Sequence, residues 1–248
     1  MSYFITGTDT GVGKTLISCA LLHAFAAKGL RAAGFKPVAA GGSLRSSGVP
    51  TGAPLAGAAD YMDFDHNDDA LALRAASSMQ LTYGQVNPYC FAQAVAPHIA
   101  SQNTGVRIEM ARILVSYREL AGQADEVIVE GAGGFMVPLN ARQTFADLAK
   151  ELGLPVILVV GMRLGCLNHA LLTARAIADY GLEYAGWVAN VLDGDMPMLQ
   201  QNIDSLRERL PAPLLGVVPQ MQVADARQVA GMLDIDVLMK GDGHDQTD

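Results

Sequence analysis

The sequence predicts an α/β chain: a single doubly wound domain with a mostly parallel β-sheet and helices on both faces. Three observations predict it. Short apolar runs recur along the chain and are separated by segments of helical spacing, the alternation that builds parallel sheets. The run Pro155 to Gly161 is apolar without interruption, as a strand buried on both faces must be. The polar residues Lys36, Glu130 and Asn190 close three of these runs, and such a sheet would gather them on its carboxyl edge, where ligands bind.

The first element, Tyr3-Phe4-Ile5, reads as a buried strand. It leads into Thr6-Gly7-Thr8-Asp9-Thr10-Gly11-Val12-Gly13-Lys14-Thr15 and then into Leu16 to Lys28, an apolar helix closed by Gly29. Strand, glycine-rich turn, Gly-Lys-Thr and helix form the context of a phosphate-binding loop, which makes the predicted fold one of P-loop NTPase type. Glycines let backbone N–H groups turn inward around an anion, and the helix N-terminus adds partial positive charge. Lys14 can reach the outer phosphates and the Thr15 hydroxyl can bind Mg²⁺. The usual first glycine of the motif falls on Thr8, with Gly7 one place early. The competing reading is a glycine-rich turn with no ligand, which leaves the flanking strand and helix unexplained.

Arg31 to Val38 reads as a second strand carrying Lys36, either a ligand-facing lysine or a solvated strand end. Residues 40–58 are rich in Gly, Ser, Pro and Ala and read as a long loop. Asp63, Asp65, Asp68 and Asp69 follow, and a helix is predicted from about Asp69, with the acids as cap and first turn or one of them as a metal ligand. Residues 85–98 read as punctuated loop, with a helix from Pro97. Arg107 to Gln123 has helical spacing. Glu126 to Glu130 is a strand ending in a carboxylate, followed by Gly131-Ala132-Gly133-Gly134. In a phosphate-binding fold such an acid serves the metal. Helices are predicted over Phe145 to Leu152, from Gly165 to Tyr180, and over 197–209. Strands are predicted at Ala185 to Val191, ending in the polar amide of Asn190, and at Leu214 to Pro219. The residues after Met239 read as a polar, disordered tail, so the domain is predicted to span 1–239 and the tail 240–248.

The 248 residues carry a net charge of -8 with no basic stripe, which argues against a nucleic-acid partner. No apolar run approaches a membrane span. Cys19, Cys90 and Cys166 lie far apart without metal or redox spacing. The expectation is a cytoplasmic protein in a reducing compartment, without a leader and without a membrane partner.

At these residues the chain resembles a known family. GTDTGVGKT, FKPVA, NDDALAL, VNPY, APHIA, VEGAGG, LPVILVVGMRLGCLNHALLT, GWVAN and PAPLLGVVP together, from about Tyr3 to Pro219, resemble dethiobiotin synthase. The resemblance implies an ATP- and Mg²⁺-dependent ligase of biotin biosynthesis. The family carboxylates the vicinal diamine diaminononanoate with CO₂ and closes a ureido ring, through a carbamate and a carbamic–phosphoric anhydride. It implies that Gly11, Val12, Gly13, Lys14, Thr15 and Leu16 hold the phosphates. Thr15, Asp69 and Glu130 are implied as metal ligands, Lys36, Lys14 and Thr10 as catalytic, and Gly131, Ala132 and Gly133 as site lining. Asn190, Val191, Pro219, Gln220 and Met221 are implied at the nucleotide base. Thr10, Lys36, Ala40 and, from the neighbouring subunit of a homodimer, Gly165, Cys166, Leu167 and Asn168 are implied at the diamine. Two positions depart from some members: Gly11 stands for Glu and Ala40 for Ser. The 43–65 loop is also longer than expected.

The nearest competing reading is a P-loop switch of the partitioning or septum-positioning type. Those proteins carry a second lysine five residues before the loop lysine, where this chain has Asp9, and many end in a membrane-seeking helix, where this chain is acidic and polar. Amidoligases of cobalamin synthesis carry a fused glutaminase domain for which this chain has no room.

Overall fold

The computed structural model describes residues 2–42 and 66–239. The 43–65 loop, Asp63, Asp65 and the 240–248 tail therefore lie outside the described residues. The chain runs β1 (Ser2–Gly7), α1 (Lys14–Ala27), β2 (Ala32–Phe35), β3 (Val38–Ala40), α2 (Asp68–Ala76), α3 (Tyr83–Val86), β4 (Tyr89–Phe91), α4 (Pro97–Thr104) and α5 (Met110–Ala121). It continues β5 (Glu126–Glu130), α6 (Phe145–Leu152), β6 (Val156–Met162), α7 (Cys166–Asp179), β7 (Tyr184–Val191), α8 (Leu199–Arg209), β8 (Leu214–Val218), α9 (Ala226–Ala230) and α10 (Asp236–Met239).

Six strands form one sheet in the order β2-β5-β1-β6-β7-β8, and every pairing is parallel. The strands feed both faces in alternation, as a pleated strand must. Tyr3, Ile5, Ile128, Ile157, Val159 and Val188 point to one face, where α1, α2, α9 and α10 pack. Phe4, Val127 and Val129 point to the other, under α5 and α6, and Leu158, Val160, Trp187 and Ala189 lie under α7 and α8. This double burial explains the unbroken apolar runs. Among the described residues, no helix is long and apolar enough to cross a membrane.

The predicted second strand is in fact two. Lys36-Pro37 interrupts it: proline has no N–H for the ladder, and the pairing with β5 ends at Phe35. β2 stays in the main sheet beside β5, whereas β3 leaves it and pairs in parallel with β4 as a separate two-stranded ribbon. The predicted loop over 85–98 contains β4, and α3 enters it, held at its start by a capping box between Thr82 and Gln85. α9 packs along α1, so the chain after Pro219 completes the core.

Candidate active site

Gly13 closes the loop after β1. It adopts φ 90, and a Cβ there would lie 2.2 Å from Asn190 Nδ2, so glycine is required on both counts. Asn190 is buried and donates from Nδ2 to the Val12 carbonyl at 2.8 Å. The amide predicted to read a base edge braces the loop from beneath with this bond. Val191, predicted at the nucleotide, has its side chain buried in the core under α7 and α8.

Lys14 is 7% exposed and donates from Nζ to the Asp9 carbonyl at 3.0 Å. The Asp9 carboxylate is held by Arg163 at 2.5 Å, which ties the crown of the loop to the chain just past β6. Burial, with the charge of Lys36 adding to it, brings the Lys14 ammonium down to about 8.

Behind the loop lies a buried cluster. Thr15 donates from Oγ1 to Glu130 Oε1 at 2.8 Å, and Lys36 Nζ donates to the same oxygen at 2.6 Å and to the Gly131 carbonyl at 3.2 Å. Asp69 Oδ2 lies 3.3 Å from Lys36 Nζ. Burial works against the Lys36 charge, but Glu130 and Asp69 outweigh it and lift its pKa above the ordinary lysine value. Among the described residues, Glu130 Oε2 is buried without a hydrogen-bond partner. A buried carboxylate oxygen left so costs free energy, a cost that a bound group at this oxygen would relieve.

The donors around that oxygen fit Mg²⁺. They are a hydroxyl and two carboxylates, hard oxygen ligands and few of them, the pattern of a cation that takes its remaining ligands from phosphate and water. No group of three or more His, Cys, Asp or Glu side chains suited to a metal occurs among the described residues.

The other predicted positions surround this cluster unevenly. Thr10 is exposed on the crown, and a Cβ at Gly133 would come within 3.5 Å of its Oγ1, so Gly131, Ala132 and Gly133 pass beside the loop. Gly11 is exposed and Leu16 half-buried against the core. Gln220 accepts from Gly194 N–H and donates to the Leu192 carbonyl, both at 3.1 Å, and so stitches the turn after β8 to the turn after β7. Pro219 beside it is exposed, and Met221 packs on the core. Ala40 sits on β3, its carbonyl accepting from Asn67 Nδ2 at 3.3 Å.

Gly165 adopts φ 94, and none of the described residues beyond its chain neighbours comes within 4 Å of a Cβ built on it, so it is needed for its left-handed conformation and not for close packing. Cys166, predicted at the substrate, is buried, and burial pushes its thiol up; it is a core residue. Leu167 leans on the core and Asn168 is exposed. The segment nonetheless starts beside the loop, because Arg163 reaches Asp9.

Two contributors were not read from the sequence. Arg163 is one. Asn87 is the other: it is buried and donates from Nδ2 to the Lys36 carbonyl at 2.6 Å. An Asn-Pro dipeptide signals a turn, and only tertiary structure reveals what the amide holds.

A family model described as an AAA domain matches residues 1–228. Among solved structures, a ParA family ATPase from Chlorobium tepidum aligns with TM-score 0.53 at 13% identity, covering 99% of this chain and 94% of that one. The septum site-determining protein MinD from Pyrococcus horikoshii, complexed with Mg-ADP, aligns with TM-score 0.50 at 17% identity, over 96% and 89%. At such identities these likenesses show the fold alone. The sequence relatives are much nearer. The ATP-dependent dethiobiotin synthetase of Aromatoleum aromaticum is 52% identical, covering 94% of this chain and 96% of its own. That of Cellvibrio japonicus is 48% identical over 96% and 97%, and that of Pseudomonas aeruginosa 49% over 94% and 96%. With half its residues shared along nearly its whole length, the chain belongs to the ATP-dependent dethiobiotin synthetase family.

Proposed function

We propose that this protein uses ATP to join diaminononanoate and CO₂ into the ureido ring of dethiobiotin. The observation that carries the reading is the cluster of buried Lys36 and Glu130 with the half-exposed Asp69 and half-buried Thr15 directly behind a phosphate-binding loop. One amine of the diamine adds to CO₂ and loses a proton, giving a carbamate. A carbamate oxygen attacks the γ-phosphorus as the bond to ADP breaks. The second amine attacks the carbonyl carbon of the mixed anhydride, phosphate leaves, the amine gives up a proton, and the ring closes.

The loop N–H groups and Lys14 hold the triphosphate, and Lys36 offsets the repulsion between carbamate and phosphate. Bound Mg²⁺ would rest on Thr15, Asp69 and Glu130 and neutralise phosphate charge. Thr10 meets the diamine end, Gly131 to Gly133 line the reacting groups, and Pro219 to Met221 border the base. No acyl-enzyme nucleophile is needed, so catalysis is positioning and charge stabilisation. Residues 165–168 meet the substrate carboxylate of a neighbouring subunit in a homodimer. The 97% exposure of Leu164 just before α7, with Leu171 and Leu172 also exposed within it, supports this reading. The composition supports a cytoplasmic location.

The test is an assay of phosphate release and dethiobiotin formation with ATP, Mg²⁺, diaminononanoate and bicarbonate, repeated down a protein dilution series. Phosphate and dethiobiotin should form in equal amounts, only with all components present, and specific activity should fall on dilution as the dimer separates. Phosphate release that ignores the diamine and answers to a partner protein would favour the switch reading, and full activity as a monomer would remove the shared site.

A further inference from the structure

Lys36 occupies an awkward position in the chain. It precedes Pro37, where the backbone leaves the main sheet for the β3–β4 ribbon, so its own peptide groups lose their ladder partners. The α3–β4 segment supplies them instead. Lys36 N–H donates to the Val86 carbonyl at 2.8 Å, and its carbonyl accepts from Asn87 Nδ2 at 2.6 Å. The second Nδ2 hydrogen goes to the Tyr89 carbonyl at 2.9 Å. Asn87 Oδ1 accepts from the Tyr83 hydroxyl at 2.8 Å, and that hydroxyl accepts from Asn67 N–H at 2.9 Å. Asn67 in turn caps α2, its Oδ1 accepting from Ala70 N–H, two residues before and one after Asp69.

A continuous relay thus runs from the backbone of Lys36 through two side chains to the start of the helix that carries Asp69. Asn67 and Asn87 are both buried, which makes each bond stronger than it would be in water and each broken one expensive. We propose that Asn87 and Tyr83 are positioning residues that set the distance between the Lys36 ammonium and the Asp69 carboxylate. This rests on the reading that both groups serve phosphoryl transfer. A cation and phosphate held at Asp69 and Glu130 would compete with Lys36 for those carboxylates, and the backbone anchor would keep its flexible side chain within reach.

Tyr83→Phe removes only the hydroxyl and keeps the ring that packs edge-on against His66. In the dethiobiotin assay it should lower kcat about tenfold and raise the Mg²⁺ concentration at half-maximal rate, with KM for ATP nearly unchanged, because small displacements of reacting groups are costly while the loop is untouched. Asn87→Ala should lower kcat about a hundredfold; if it does not fold, Tyr83→Phe decides alone. A Tyr83→Phe protein with wild-type kcat and magnesium dependence, even if it melts earlier, overturns the proposal. Lys36→Ala is the reference arm. If it is inactive while Tyr83→Phe is wild type, the relay fails alone; if it keeps full turnover, the reading of Lys36 and the relay fall together.

Discussion

The two ends of the same parallel sheet are built on opposite principles. At the carboxyl end, the charges of Lys36 and Glu130 are almost wholly buried, with side-chain exposures of 4% and 0%, and one carboxylate oxygen has no partner. At the amino end Glu126 is buried too, but the Arg31–Asp125 pair is in water: Arg31 reaches Asp125 with two guanidinium hydrogen bonds, at 2.7 and 3.1 Å, and its backbone N–H adds a third. The amino end also holds a cavity of about 530 Å³, lined by Tyr3, Tyr117, Leu154 and Glu183 among others. Space alone does not mark a site. The carboxyl end gathers buried opposite charges behind a phosphate-binding loop; at the amino end the Arg31–Asp125 pair is exposed, and the Tyr184 hydroxyl there is likewise buried without a hydrogen-bond partner among the described residues.

That contrast predicts unequal consequences of mutation. The largest effect belongs to Lys14→Ala, which should lower kcat/KM about a thousandfold or more while circular dichroism shows the fold intact, since the ammonium faces a transferring phosphoryl group. Near-normal turnover at saturating diamine would remove the loop from the mechanism and much of the contrast with it.

The smallest effect belongs to Asp125→Asn at the amino end. The Arg31 side chain, with its backbone N–H, holds the Asp125 carboxyl down at about 2. A carboxylate whose folded pKa is depressed adds stability above its unfolded value of about 3.9 and loses it as pH falls toward the folded one. Denaturation of the variant should therefore differ slightly from wild type at neutral pH, and the difference should vanish near pH 2. Turnover should be unchanged. A loss of activity in Asp125→Asn would show that the two ends communicate.

The sequence exposed the contrast only in part. Lys14, Lys36 and Glu130 were legible because each closes or follows an apolar run, and topology then had to bring them together. The doubly buried strands and α6 were legible for the same reason, a period set by burial. The break at Lys36-Pro37 was not, because an apolar run hides a change of sheet. Nor was the brace at Asn190: a side-chain amide at a strand end gives no sign of which backbone carbonyl it holds, and only the folded chain shows the bond to Val12. α3, β4, α9 and α10 were missed because they are three to five residues long and take their order from packing.

The central claim is that the buried cluster awaits a divalent cation at Glu130, and a magnesium titration of Glu130→Gln tests it most directly. The substitution keeps the shape and one acceptor oxygen but removes the charge. Dethiobiotin formation should then require at least about tenfold more Mg²⁺ for half-maximal rate, with a smaller shift in Asp69→Asn, whose carboxylate is half exposed. A magnesium curve in Glu130→Gln that superimposes on wild type at an unchanged rate would contradict the account.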